Sequence, residues 1–245
     1  MFAKQAIYTS ARTGRIRGYQ LVAQSPGIDA QQQRSLVRWC PSHGSLASEL
    51  PSAFSLNFHP VTPGWVALSR TAYGGPEYSG RGSLEIVTRI LLLRCDELAG
   101  YEYDPATLAQ VALALGLLRL ESFTGDSLPD VELPDRPLRA APAHGSSNCP
   151  CPEITGRIEK GERIAVIGAA EPWQCLRQIF GCLPVRQRME VSFTTGLKPS
   201  LHRRFHIHFL PSADLGLRQQ LAGQRINPIQ WQSVSSFVHS ECVNV

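Results

Sequence analysis

Residues 191–209 read VSFTTGLKPSLHRRFHIHF. Val191 to Thr195 and Phe205 to Phe209 carry the β-branched and aromatic content of strands, and Gly196, Pro199 and their polar neighbours mark a turn. The stretch predicts a β-hairpin with GLKPSLHR as its loop. Along the second strand His206 and His208 alternate with Phe205, Ile207 and Phe209. Side chains alternate across a strand, so the histidines are expected on an outer polar face and the three apolar residues on the core face.

Two other chemistries compete for these residues. An H-x-H pair on one strand face can bind zinc, but a tetrahedral site needs a third protein ligand and a supporting shell. The nearest acids, Glu190 and Asp214, share no ligand spacing with the pair, so no metal is expected and His206 with His208 remains the alternative metal site. Cys149 and Cys151 with His144 are a second candidate, but C-x-C lacks the usual spacing. The interleaving of aromatic and basic residues in HRRFHIHF also suits single-stranded nucleic acid. Stacking platforms need both groups accessible together, and alternation puts them on opposite faces, so nucleic acid is not the expected partner.

Working outward, RIAVIG at 163–168 reads as a strand, Pro172 to about Arg188 as a helix and Ser212 to Ala222 as a short helix. With strands at Met189–Thr195 and Phe205–Leu210 this makes a βαββα module over 154–245. The junction AVIGAAEPWQ contains neither GxGxxG nor GxxxxGK[ST], and Glu171 with Pro172 stands where a phosphate would sit. It reads as a plain strand-to-helix turn.

Towards the N-terminus, Gln5–Ser10 and Gly18–Gln24 read as paired strands, and Ser25-Pro26-Gly27 as a stop. Asp29 suits the N-cap of a helix to Trp39 with Leu36, Val37 and Cys40 inward. Ala53–His59, Trp65–Tyr73 and Leu84–Leu93 read as strands. Asp104 and Pro105 open the clearest helix, with Leu108, Val111, Ala112, Leu115 and Leu118 as its stripe. The expectation is an α+β protein of two modules, mainly antiparallel sheets with flanking helices: an N-terminal module over 1–122 and the βαββα module over 154–245. Between them, 123–153 is a proline-rich acidic linker or arm without a core period.

Composition bounds the function. A chain of 245 residues with 43% hydrophobic and 18% charged content has ample material for a core. The net charge of +4 comes from scattered Lys and Arg, without the stripe of a dedicated DNA binder. Apolar runs such as Ile90–Leu93 and Val111–Leu118 are too short to cross a bilayer, and MFAKQAIYTSARTGRIRGYQ has no secretory core. The seven cysteines lack framework spacing, as in a reduced protein, so the expected location is cytoplasmic. No GxSxG elbow, cysteine signature or paired-carboxylate arrangement nominates a catalytic residue.

QAIYTS followed by GYQLVAQSPGI, and later LP, an arginine, VSFTTGL and RRFHIHFL, resemble the N-terminal region of bacterial GTPase-associated proteins. These are encoded beside small Ras-like GTPases in predicted conflict systems. The resemblance implies a non-catalytic regulatory or adaptor role, exerted through contacts with a protein partner, a small Ras-like GTPase or another component of an NTPase system. It implies no cofactor and no membrane. The segments that carry it nominate Tyr19 and Gln20, and Arg186 and Arg188, as partner-binding residues. The alternative is a nucleic-acid-binding or hydrolytic component using residues 202–208.

Overall fold

The strand-forming runs of the N-terminal half fold as expected in a computed structural model that describes residues 1–13, 16–76, 84–120, 125–136 and 151–231. They are β1 (Phe2–Thr13), β2 (Ile16–Gln24), β3 (Phe54–Thr62), β4 (Trp65–Pro76) and β5 (Leu84–Arg94). All four pairings among them are antiparallel, in the order β3-β4-β5-β1-β2. Asp29 caps α1 (Ala30–Trp39) through a capping box with Gln32, and Asp104 caps α2 (Pro105–Ala114) behind a first-turn proline. A 3-10 segment, Cys95–Tyr101, joins β5 to the approach of α2.

The C-terminal half adds α3 (Cys151–Glu159), β7 (Arg163–Ile167), α4 (Pro172–Cys182), α5 (Val185–Arg188), β8 (Phe193–Thr194), β9 (Ile207–Leu210), α6 (Leu215–Gly223) and β10 (Ile226–Gln230). These strands extend the same sheet in the order β10-β7-β9-β8-β3, so ten strands of the described residues form one α+β sheet that is mostly antiparallel; the tenth, β6 (Val131–Glu132), pairs with β1. The single helix read over 172–188 is two. Pro184 disfavours a helical residue before it, and Leu183 is extended at φ −75°, ψ 138°.

The hairpin expected at 191–209 is not one. β8 pairs parallel with β9 (Phe193 opposite Ile207) and antiparallel with β3 (Phe58 opposite Phe193). Residues 195–206 are drawn sideways by a Leu46–Leu197 bridge and by the Ala47 amide donating to the Gly196 carbonyl (2.8 Å), so the chain re-enters the sheet in its original direction. Gly196 is required there, because a Cβ would lie 2.9 Å from the Phe54 carbonyl oxygen.

Two buried layers flank the sheet. On one face Leu56, Phe58, Leu68, Leu91, Phe193 and Phe209 pack beneath α2, α3 and α4. On the other, Leu36 and Cys40 of α1 cover Ala6, Ile90 and Leu92, and Leu221 of α6 covers Ala165 and Ile167. Val37, expected inward, is 41% exposed, and Leu115, expected on the α2 stripe, lies past the helix end and is 51% exposed. Part of the proline-rich segment is packed: Gln5 Nε2 and Ser25 Oγ both donate to the Pro129 carbonyl (2.6 and 3.2 Å), and Leu133 is buried. Residues 137–150, with His144 and Cys149, lie outside the described residues. Cys151 is disulfide-bonded, so the reading of all seven cysteines as reduced does not hold for it.

A polar chain crosses the second face where α1 does not reach. Thr194 Oγ1 donates to Asn57 Oδ1 (2.7 Å) and lies 2.9 Å from Ser55 Oγ; Asn57 Nδ2 donates to Ser69 and Thr71 (3.3 and 3.2 Å); Thr71 meets Thr88 at 3.0 Å. All six side chains are buried. Removing one member strands its partners without water, which costs about 1–3 kcal/mol. Asn57→Ala is therefore expected to lose about 3 kcal/mol and Thr194→Val about 2 kcal/mol in urea denaturation. A loss below ~0.5 kcal/mol for both, the range of an ordinary surface change, would show that the chain does not hold the seam.

Candidate functional site

The basic residues of the 191–209 stretch face inward more than outward. Arg203 is buried, its guanidinium 3.3 Å from Ser45 Oγ, with burial lowering its pKa against the opposing influence of Cys40 and Tyr8. Phe205 does not join Ile207 and Phe209 on the helix-covered face. It sits on the other face against Trp39 (4.9 Å between ring centres) and edge-on to His208 (5.7 Å, 88°). β9 is buried on both faces, so the polar outer face expected for it does not exist. Of the charged residues from 202 to 208, His202 and Arg204 are exposed.

The two histidines of the alternative metal site serve different neighbours. His206 Nδ1 accepts from the Ser192 amide (3.1 Å) and lies 2.9 Å from Ser192 Oγ. Burial, then Arg163, lowers its pKa, with Glu190 opposing. His208 is 1% exposed, and neither ring nitrogen makes a hydrogen bond of ordinary geometry. Burial pushes its pKa down to about 3, aided by Arg163 and Arg203 and partly offset by the Leu197 backbone. His59, stacked on Trp39 at 4.5 Å, is pushed down to about 4 by burial, with the Pro60 carbonyl opposing. Among the described residues, no group of three or more His, Cys, Asp and Glu side chains is placed to hold a metal ion.

The four residues nominated for partner binding separate in the same way. Tyr19 stacks on Tyr8 at 5.9 Å and its hydroxyl accepts from the Ile86 amide (3.1 Å). Gln20 Nε2 donates across the strand pair to Ala11 (3.1 Å). Arg188 is 11% exposed along its side chain; Nε donates to Leu183 (3.1 Å) and a terminal nitrogen to the Glu102 carbonyl (3.2 Å). It thereby holds Glu102 and Tyr103, both left-handed at φ 51° and 55°, in a conformation that costs non-glycine residues energy. Arg186 is exposed and borders an open groove with Tyr103, Pro184, Val185 and Met189.

A more enclosed site was not legible in the sequence. β7 and β9 are parallel neighbours, yet the chain leaves β7 for α4 on one face and β9 for α6 on the other. Strand ends diverging in this way open a crevice at the carboxyl edge of the sheet. The crevice is a cavity of about 490 Å³, walled by the 47–54 loop, α2, the 169–173 turn, Thr195–Gly196 and the end of β9. Five separated segments build it, so no local motif could announce it. Gly168, at φ +78° after β7, and Gly196 are its two local signs.

Burying His59 and His208 uncharged makes stability pH-dependent. Both folded pKa values lie below the unfolded value of 6.5, so the stabilisation is complete above about pH 6.5. It declines as pH falls from there towards about 4 for His59 and about 3 for His208. In that window each histidine is expected to contribute ~1.4 kcal/mol per pH unit to the loss. Denaturant titrations from pH 7 to pH 5 should show this slope, reduced in His208→Phe. An unchanged slope in that variant would remove His208 from the account.

Residues 2–134 match the family described as GTPase-associated protein 1, N-terminal domain type 2. No curated protein and no solved structure matches the chain. No helix among the described residues is long and apolar enough to cross a membrane. The matched segment runs from β1 through the residue after the buried Leu133 and takes in β1 to β6, α1 and α2, more than half of the 245 residues, and on that extent the chain belongs to the GTPase-associated protein 1 N-terminal domain family.

Proposed function

We propose that the chain is a non-catalytic regulatory or adaptor subunit of a bacterial GTPase-linked conflict system and acts through protein contacts. Family membership over residues 2–134 carries this reading. The partner is a small GTPase, or another component of the same NTPase system. Modules 1–122 and 154–245 act in the proposal as one scaffold, because β3 and β8 pair across them.

Arg186 is the contact residue of this reading. Cores of protein interfaces favour arginine beside aromatic and methionine side chains. Arg186 has that company in Tyr103, Met189 and the 44% exposed Val185. Arg188, Tyr19 and Gln20 act in the proposal by positioning: the first shapes the Glu102–Tyr103 turn beside the groove, and the other two tie β2 to its neighbours.

Pull-down from the native host, with the chain as bait, tests both levels. A small GTPase should be recovered by the wild type and lost with Arg186→Ala, while the thermal midpoint stays the same. Arg188→Ala should instead lower stability by about 1–3 kcal/mol, because two backbone carbonyls lose a charged donor. Recovery of no NTPase-system component would sink the adaptor reading; undiminished recovery by Arg186→Ala would move the contact elsewhere.

A further inference from the structure

The cavity at the carboxyl ends of β7, β8 and β9 plays no part in the adaptor reading, yet its position, size and lining are those of a ligand site. Small-molecule sites occupy roughly 300–1,000 Å³ and form at the switch points of parallel strands; this cavity measures about 490 Å³ and sits at such a point. Phe54, Trp173 and Phe209 give it aromatic walls, and Ser52, Gln110 and Thr195 bring hydrogen-bonding groups. Thr195 Oγ1 is fixed there by accepting from the Leu56 amide at 2.8 Å.

Charge decides the class of ligand. Among the described residues, Glu171 is the charged one that lines the cavity, and no lysine or arginine does. Arg70 stacks on the Phe54 ring at 5.0 Å but is not itself a lining residue. The N-terminus of α4 would ordinarily attract an anion through its free amides and dipole. Here Pro172 offers no amide, and the Glu171 carboxylate occupies the N-cap position. Glu171 makes no capping hydrogen bond, so its carboxylate is not committed to the helix. We infer that the cavity binds a small organic cation with an aromatic or apolar body: the body enters between Phe54, Trp173 and Phe209, and the ammonium faces Glu171. Aromatic faces add attraction for the same cation.

Three probes with one ring system separate charge from shape: tryptamine (cation), tryptophol (neutral) and indole-3-propionate (anion). Calorimetric titration of the full chain should rank them tryptamine, tryptophol, indole-3-propionate, from tightest to weakest. Glu171→Gln should weaken tryptamine about threefold to fivefold, the scale of a solvent-screened ion pair, and leave tryptophol unchanged. That variant removes no hydrogen bond from α4, so its fold is retained. Leu113→Trp, filling one wall, should abolish all binding; if it unfolds, Glu171→Gln and the ranking decide alone. Indole-3-propionate binding as tightly as tryptamine, tryptamine indifferent to Glu171→Gln, or no probe binding at millimolar concentration would each overturn the assignment.

Discussion

The seam between β3 and β8 is two residues long, and the two halves of the sheet meet through it. Its backbone pairs are Asn57 with Thr194 and Phe58 with Phe193. Such a short ladder has little strength of its own, so side chains on both faces supply the rest. On one face the Phe58 and Phe193 rings stack at 6.0 Å, with Phe180 of α4 edge-on to Phe193 at 5.7 Å. On the other, Thr194 enters the Asn57–Ser55 hydrogen-bond group. Leu56 strengthens the edge with a backbone bond in each direction, its amide donating to Thr195 Oγ1 and its carbonyl accepting from the Thr195 amide. Apolar contact supplies most of the free energy, and the polar group supplies register. A one-residue slip would place Phe193 among hydroxyls and Thr194 among phenylalanines.

From that seam follows the burial of a polar layer that would otherwise face water. Ser55, Asn57, His59, Ser69 and Thr71 stand at alternate positions of β3 and β4, the usual mark of a solvated sheet face. The 195–206 segment, anchored next to β8, is folded back over this face with Leu197, Arg203 and Phe205. The hydroxyls and the amide satisfy one another. Neither ring nitrogen of His208 makes a hydrogen bond of ordinary geometry, and burial, aided by Arg163 and Arg203, lowers its pKa strongly. One covering loop thus explains the polar core, the neutral histidines and the acid sensitivity derived from them.

Local rules were legible where the partners are local. Asp29, Asp104 and Pro105 marked the helix starts they occupy, because a cap is chemistry within four residues. The meander of antiparallel strands followed from alternation and turn residues. What failed was non-local. The parallel β8–β9 pair looks like a hairpin in sequence, since two strands with a turn between them normally pair with each other. β10 carries Pro228, which a central strand would not tolerate, and it was not read as a strand. Among the described residues it is the edge of the sheet, paired with β7 alone, and there the missing amide is harmless. Among the nominated site residues, only burial could separate Arg186 from Arg188, two positions apart on one short helix. The cavity needed the whole topology.

The family match ends at residue 134, but the sheet edge it leaves at β3 is completed by residues 193–194. An uncovered β3 would present a row of unpaired backbone groups, and natural sheets protect such edges. It would also uncover part of the layer in which Leu56 and Phe58, 3% and 0% exposed, pack with Phe193, Phe209 and α4. The cavity falls on this same border. Its walls take Phe54 and Leu113 from the matched segment and Trp173 and Phe209 from beyond it. A ligand held there would touch both sides of the seam at once. Its binding energy would then add to the short β3–β8 ladder, since anything that binds only the joined state stabilises the join. The groove beside Arg186 has the same composite character, with Tyr103 from one side and Met189 from the other. Both candidate surfaces therefore draw their walls from the two sides of the seam.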